Sequence, residues 1–168
     1  ILIYGGASGV GNAAIKIAKS MNVNIISTVG SRDKIDIVKK TGANFVLLHN
    51  DKNFVSKVRD IVGKKGIQVV FEHIGLFTWD NSMKLLSKGG RVVTCGATTG
   101  SNVSINLQHL FYKQQKIIGS TMSSIDSFKE MLEFVDSNRI MPTIDKVIDL
   151  NQLNDAYKYI INRKQKGK

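Results

Sequence analysis

The chain alternates between short apolar runs and longer amphipathic stretches. The apolar runs are rich in β-branched residues and carry apolar side chains at consecutive positions, as strands covered on both faces of a parallel sheet do. Six strands are predicted, near residues 1–4, 24–29, 45–48, 67–71, 91–95 and 116–121. Helical patterns begin near Gly9, Ser31, Asp51 and Thr78. A strand followed by a helix, repeated in this way, predicts βαβ units with right-handed crossovers.

The regular alternation stops after the fifth apolar run. Residues 97–115 show no clean helix or strand, and an irregular stretch of that length in a compact domain is more often functional than idle. After the sixth strand, "SFKEMLEFVDSN" has the pattern of a helix. We expect a strand over "TIDKVIDL" and a last helix over "NQLNDAYKYIIN", capped by Asn151.

The first apolar run leads directly into the glycine-rich stretch "GGASGVG". The dinucleotide fingerprint G-x-G-x-x-G falls on Gly6, Ser8 and Gly11, so its middle glycine is replaced and Gly9 stands beside it. A helix N-terminus after such a turn offers free N–H groups and the positive end of the helix dipole to a phosphate. The stretch follows a strand and opens a helix, so it predicts a dinucleotide site; a tight structural turn is the alternative.

The end of the second predicted strand bears on the choice of cofactor. An acidic residue is expected there when the ribose carries a free 2′-hydroxyl, but the residue after the strand is Gly30. Ser31, Arg32 and Lys34 follow, and their hydroxyl and cationic groups suit a 2′-phosphate. These residues favour NADP(H) over NAD(H). Asp33 is the residue that would serve NAD(H) instead, so both cofactors stay open.

Five segments of the chain together resemble the medium-chain dehydrogenase/reductase superfamily, in its zinc-type alcohol dehydrogenase and quinone oxidoreductase branch. The segments are "GGASGVGNAAIKIAK", "KTGANFVL", "VVFEHIG", "LLSKGGRVVTCGATTG" and "KIIGSTMSS". The matches run from Leu2 to about Ile161, nearly the whole chain. The resemblance implies a Rossmann fold, a doubly wound α/β structure with a six-stranded parallel sheet in the order 3-2-1-4-5-6 and helices on both faces.

The resemblance also implies where the cofactor lies. Ser8, Gly9, Val10 and Gly11 would adjoin the pyrophosphate. The adenosine ribose would be surrounded by Gly30, Ser31, Arg32 and Lys34. The nicotinamide side would be formed by His73, Ile74, Cys95, Gly96, Ala97, Ser120, Thr121 and Met122.

The histidines and the cysteine do not indicate a metal site. The spacing of His73, Cys95 and His109 fits no zinc-ligand pattern. Cys95 lies in an apolar strand, where we expect it to be a packed small side chain. His73 is expected to be a cofactor contact or a satisfied core histidine. A single cysteine cannot form an internal disulfide, so we expect a reducing, cytoplasmic setting.

The chain is strongly basic, with 24 Lys and Arg against 13 Asp and Glu and a net charge of +11. Such a balance suggests an anionic partner, or positive charge spread over solvated helix faces. Only the tail "NRKQKGK" has a high local density of positive charge. A basic nucleic-acid-binding module is the less favoured alternative, because no recognition motif is present and aromatic residues are 7% of the chain. No apolar run approaches the ~20 residues that would span a membrane.

The resemblance implies that parts of the enzyme are missing from this chain. The substrate domain, and zinc ligands where the family has them, would precede it. We therefore expect residues 1–140 to be the NAD(P)-binding domain and residues 141–168 a return segment toward the missing domain. The full enzyme would transfer hydride between NAD(P)H and an alcohol, carbonyl compound or quinone, and would be a homodimer or higher oligomer. This chain would bind the cofactor without turnover; a free-standing NAD(P)-sensing module is the alternative.

Overall fold

A computed structural model describes all residues from Ile1 to Lys168. Six strands form one parallel sheet in the order β3-β2-β1-β4-β5-β6, which confirms the predicted doubly wound Rossmann topology. The strands are β1 (Leu2–Ile3), β2 (Ile26–Val29), β3 (Phe45–Leu48), β4 (Ile67–Glu72), β5 (Leu86–Thr94) and β6 (Lys116–Gly119). The helices are α1 (Gly9–Ser20), α2 (Ile35–Thr41), α3 (Phe54–Val62), α4 (Leu76–Leu85), α5 (Leu107–Tyr112), α6 (Ile125–Ser137) and α7 (Leu153–Ile161).

Helices cover the sheet on both faces, and each face has its own apolar cluster. Successive side chains of a strand point to opposite faces, so Leu2 joins one cluster and Ile3 the other. The cluster around Leu2 packs against α3 and α4 and includes Phe54 and Trp79. The cluster around Ile3 packs against α1 and α2 and includes Ile15. This two-sided burial explains why the strands read as continuous apolar runs rather than as alternating ones.

Three local predictions in the second half of the chain are wrong. A helix, α5, lies within the stretch predicted to be irregular, and the Asn106 side chain caps it by accepting a hydrogen bond from the His109 amide. Residues 143–150 form no strand, because no neighbouring strand offers a ladder of backbone partners. Asp149, rather than Asn151, caps the 3-10 turn that leads into α7.

The last third of the chain covers little of the core. Beyond Val92, Gln115 and Gly167 are the buried residues. The apolar residues of α6 and α7 are at least partly exposed. No helix is both long and apolar enough to cross a bilayer.

Candidate functional site

The turn between β1 and α1 presents the start of a helix to the carboxyl edge of the sheet. Ser8 is the N-cap of α1, and its side-chain oxygen accepts a hydrogen bond from the Gly11 amide at 3.0 Å. Gly9 and Val10 are the first two residues of the helix. Amide groups at these positions have no acceptor within a helix. The turn therefore directs N–H groups and the positive end of the α1 dipole at any anion bound there.

Two glycines allow α1 to approach the sheet closely. A side chain at Gly11 would collide with the backbone carbonyl group of Gly5. A side chain at Gly6 would collide with the hydroxyl group of Ser27 on β2. Packing therefore requires glycine at the first and third positions of the fingerprint, Gly6 and Gly11. Ser8, at the second position, caps the helix.

An open cleft of about 760 Å³ extends from this turn along the carboxyl ends of β1–β4. Its volume lies in the range of about 300–1,000 Å³ that is usual for ligand sites. Seven predicted site residues line it: Ser8, Gly9, Val10, Gly30, Lys34, His73 and Ile74. Gly11 is buried behind the turn. The other eight predicted residues lie outside its lining: Ser31, Arg32, Cys95, Gly96, Ala97, Ser120, Thr121 and Met122.

The chain after β2 brings opposite charges to one end of the cleft. Gly30 is exposed, and Ser31 is the N-cap of a short 3-10 turn. Arg32 is exposed and forms no ion pair. The Asp33 carboxylate lies 3.7 Å from the ammonium group of Lys166. Arg32 therefore remains a cation without a salt bridge at this end, whereas the neighbouring carboxylate already has a partner.

His49, which follows β3, is a cleft residue that the sequence analysis missed. Its Nδ1 lies 3.3 Å from the Thr28 hydroxyl, and its ring lies 3.5 Å from the Cβ position of Gly30. Partial burial lowers the pKa of the His49 imidazole below its ordinary value. The sequence signal for His49 was its position directly after an apolar run. The carboxyl ends of parallel strands meet at one edge of the sheet, so a residue there adjoins the cleft.

His73 lines the cleft and also has a satisfied ring nitrogen. Its Nε2 lies 2.8 Å from the carbonyl oxygen of Tyr4, and its ring packs against Phe71 with centroids 5.9 Å apart. The interaction holds the end of β4 against the end of β1. The sequence left two roles open for His73, a cofactor contact and a satisfied core histidine, and this placement is compatible with both.

A buried carboxyl group fixes the turn that carries His73. Glu72 is fully buried and accepts hydrogen bonds from the Ile74 amide at 2.8 Å and from the hydroxyls of Thr78 at 2.9 Å and Ser82 at 2.8 Å. These donors belong to the turn and to α4. Glu72 is a second residue that the sequence analysis missed, since its partners come together only in the folded turn.

The residues after β5 lie beside this turn. The expectation that Cys95 is packed is wrong: β5 ends at Thr94, and Cys95 is exposed in the loop that follows. Gly96 lies close to the turn, since a Cβ there would be 3.3 Å from the His73 carbonyl oxygen. Ala97 is exposed.

The residues after β6 are at the same edge of the sheet but outside the cleft. The Ser120 amide donates to the Thr94 carbonyl oxygen at 2.9 Å, which extends the ladder between β5 and β6. Thr121 and Met122 are exposed. A contact between these residues and a cofactor stays a prediction.

The basic tail reaches the glycine turn, which the sequence did not predict. The Gly167 amide donates to the Ala7 carbonyl oxygen at 2.9 Å, and the Lys168 amide to the Thr143 carbonyl oxygen at 2.9 Å. The Lys168 side chain lies directly against Gly9. The tail thus adds a cation beside the start of α1.

The tail also engages one of the predicted phosphate ligands. Lys34 Nζ donates to the carbonyl oxygens of Arg163 at 2.5 Å and Gln165 at 3.2 Å. Arg163 and Gln165 both line the cleft. Because carbonyl groups do not neutralise an ammonium group, Lys34 remains a cation at the wall of the cleft.

Comparison with known proteins identifies the family. The profile described as "Zinc-binding dehydrogenase" matches residues 9–137, from the start of α1 to the end of α6. The chain belongs to the zinc-binding dehydrogenase family. The resemblance to the cofactor-binding domain of the medium-chain dehydrogenase/reductase superfamily is confirmed.

Similar proteins of this family are oxidoreductases. Human quinone oxidoreductase is 29% identical over 168 residues, which cover 96% of this chain and 50% of that protein. A solved structure described as an NAD-dependent alcohol dehydrogenase has a TM-score of 0.87 at 31% identity, covering 99% of this chain and 48% of that one. A mycobacterial protein complexed with NADPH has a TM-score of 0.80 at 26% identity, covering 99% and 55%. The chain spans about half the length of the curated relatives it matches.

Zinc is implied by the family description but does not fit the residues of this chain. No three His, Cys, Asp or Glu side chains come together in an arrangement that could hold a metal ion. We therefore assign no chemical step to a metal bound by these residues.

Proposed function

We propose that this chain is the NAD(P)H-binding part of an oxidoreductase that transfers hydride between the cofactor and an alcohol, a carbonyl compound or a quinone. The observation that carries the proposal is the open cleft beside the N-terminus of α1, where Ser8, Gly9 and Val10 face the space that a pyrophosphate needs. The family and the activities named for its similar members support it.

Three groups of residues would share the cofactor. The turn at Ser8–Gly11, with Lys168 beside it, would hold the pyrophosphate through N–H groups and charge. Gly30–Lys34 and His49 would hold the adenosine ribose. The ends of β4, β5 and β6 would face the nicotinamide; these residues are His73, Ile74, Cys95, Gly96, Ala97, Ser120, Thr121 and Met122.

We propose that NADP(H) binds more tightly than NAD(H). No carboxylate stands at Gly30 to accept from a 2′-hydroxyl or to repel a 2′-phosphate. Arg32 and Lys34 supply positive charge. The carboxylates nearby already have partners, because Asp33 is paired with Lys166 and Asp51 with Lys57. The similar structures include both an NAD-dependent enzyme and an NADPH complex, so they favour neither cofactor. The proposed preference therefore rests on the side chains of Arg32 and Lys34.

The bound dinucleotide would supply or accept the hydride, while this chain would bind and orient it. Transfer also needs a substrate held about 3–3.5 Å from its reacting partner, in a site that excludes water. The described cleft is open to solvent on one side. A group that polarises the substrate, and zinc if the enzyme uses it, would come from residues outside 1–168. We therefore expect binding without turnover.

Fluorescence titration with NADPH and NADH, beside an oxidation assay over alcohols, aldehydes and quinones, tests the proposal. We expect saturable NADPH binding, weaker NADH binding and no turnover. Turnover should appear when the chain is joined to a substrate domain of the family, and its absence there would favour an NAD(P)-sensing module. A chain that binds neither dinucleotide would overturn the proposal, and robust turnover by these 168 residues would overturn its second part.

A further inference from the structure

A basic groove lies at the edge of the sheet opposite the dinucleotide cleft. It has a volume of about 680 Å³ and is formed where α3, α4 and α5 end and the chain enters β4, β5 and β6. The amino ends of these strands are at this edge, whereas the cleft lies at carboxyl ends. The cationic residues of the groove are Arg59, Lys64, Lys65, Lys84, Lys88 and Lys113.

The positive charge of the basic groove exceeds the negative charge around it. Asp60 is the one carboxylate that lines it, and Lys84 is paired with Asp80 at 2.6 Å. None of the other five cations forms an ion pair. Three helix C-termini end at the groove, and each contributes about half a negative charge. The three dipoles and the carboxylates of Asp60 and Asp80 together offset about 3.5 of the six positive charges. A net charge of about +2.5 remains to attract an anion.

The backbone holds two of the lysines at the groove wall. Lys64 and Lys65 lie between Gly63 and Gly66, whose φ angles are +61° and +68°. This left-handed backbone is accessible to glycine at little cost. The short 3-10 turn at the end of α3 is therefore encoded by the sequence.

An exposed aromatic ring completes the groove. Tyr112, the last residue of α5, lines it and is 78% exposed. A basic groove combined with an exposed aromatic side chain is the arrangement by which proteins bind single-stranded nucleic acid, with cations on the backbone and the ring on a base. An acidic protein segment would use the cations but leave the ring without a role.

We propose that the basic groove binds single-stranded nucleic acid, with its cations on the phosphodiester backbone and Tyr112 stacked on a base. The contacts are to phosphates and to an aromatic face, so binding is independent of base sequence. Because the groove and the cleft occupy opposite edges of the sheet, nucleic acid and dinucleotide bind simultaneously.

Fluorescence anisotropy with a labelled oligonucleotide of about 12 nucleotides, titrated with the whole chain, tests the proposal. The double variant Lys64→Gln, Lys65→Gln should weaken binding about tenfold and make the dependence of log K on log salt shallower by about 1.4. Tyr112→Ala should weaken binding about fivefold or more, whereas Tyr112→Phe keeps the ring and should bind as the original chain does.

Matched controls separate this site from diffuse charge. Lys39→Gln, Lys40→Gln removes the same charge from α2 and should leave affinity within about twofold. An equal loss in that control would overturn the proposal, and so would displacement of the oligonucleotide by saturating NADPH. Binding of polyglutamate in its place, with Tyr112→Ala unaffected, would assign the groove to an acidic protein and also overturn it.

Discussion

The Glu72 carboxyl accepts a hydrogen bond from the Ser82 hydroxyl at 2.8 Å, in a position from which solvent is excluded. The same group accepts from the amides of Ile74 and Gly75. One side chain thereby ties the end of β4, the turn and α4 together. The turn is the one that carries His73 to the wall of the cleft.

Replacing Glu72 by Gln should destabilise the chain. The amide nitrogen replaces a carboxyl oxygen and cannot accept from the Ser82 or Thr78 hydroxyl, and losing these hydrogen bonds costs about 1–3 kcal/mol. Urea denaturation should show a loss of that size, while Ser82→Ala, which removes a single donor, should cost about 1 kcal/mol. Equal stability of Glu72→Gln and the original chain would show that the carboxyl group contributes nothing.

Replacing Gly11 by Ala should disturb both packing and binding. The added methyl group would meet the Gly5 carbonyl group, which cannot move without moving β1. Overpacking of this kind costs about 1–3 kcal/mol, and the displaced helix start should bind NADPH more weakly. Thermal denaturation and titration measure the two effects. Gly119→Ala is the control, since no atom lies within 4 Å of that Cβ position.

His49 should make stability depend on pH. Because burial lowers its pKa below 6.5 in the folded chain, the unfolded chain binds a proton more readily. Stability should therefore be highest above about pH 6.5 and decrease as the pH falls toward the folded-state pKa. Denaturation midpoints should show a flatter pH dependence in His49→Gln. The exposed His109 provides the control substitution, and an unchanged profile in His49→Gln would contradict the assignment.

Arg32 should distinguish the two cofactors. Arg32→Ala removes a charge-assisted hydrogen bond to the 2′-phosphate, worth about 1.5–3 kcal/mol in NADPH binding, and should leave NADH binding unchanged. Arg59→Ala, at the opposite edge of the sheet, should change neither. Calorimetry with both cofactors measures this, and equal affinities of the original chain for NADPH and NADH would refute the preference.

The outer edge of β6 should pair with a second copy of the chain. β6 is bonded only to β5, and Ile117 and Ile118 are 36% and 40% exposed. A free edge with exposed apolar side chains invites pairing, and a charge introduced in the middle of the strand, beyond the Lys116 at its start, should oppose pairing. Light scattering should give a dimer, and Ile118→Lys a monomer. Val147→Lys, at a position 93% exposed and away from the edge, should leave the dimer intact.

The sequence predicts the sheet because its signals are local. Each strand is a run of apolar residues, and the glycine turn follows the first run. The errors lie where the answer depends on distant partners. Residues 143–150 have the composition of a strand, but only Thr143 and Asp145 form backbone hydrogen bonds to a residue distant in sequence, Lys168. The composition of an apolar run does not reveal whether a neighbouring strand is available to pair with it.

The candidate site was predicted only in part, because some of its residues follow from local signals and others depend on distant partners. Ser8, Gly9 and Gly30 stand next to strand ends, and their positions follow from the topology. Glu72 reads as the polar end of a strand, and only the folded turn shows that several donors surround it. The tail is far from the glycine turn in sequence, so the contact between Gly167 and Ala7 requires the tertiary structure.

The two residues of β1 lie between β2 and β4, with Leu2 opposite both Ile26 and Val70. Pairing with β4 closes the longer loop and costs more chain entropy, so we expect it to form later in folding than pairing with β2. His73 and Ile74 reach the cleft only when β1 and β4 have paired. A dinucleotide therefore has no complete site on a partly folded chain, and we expect it to slow unfolding without accelerating folding.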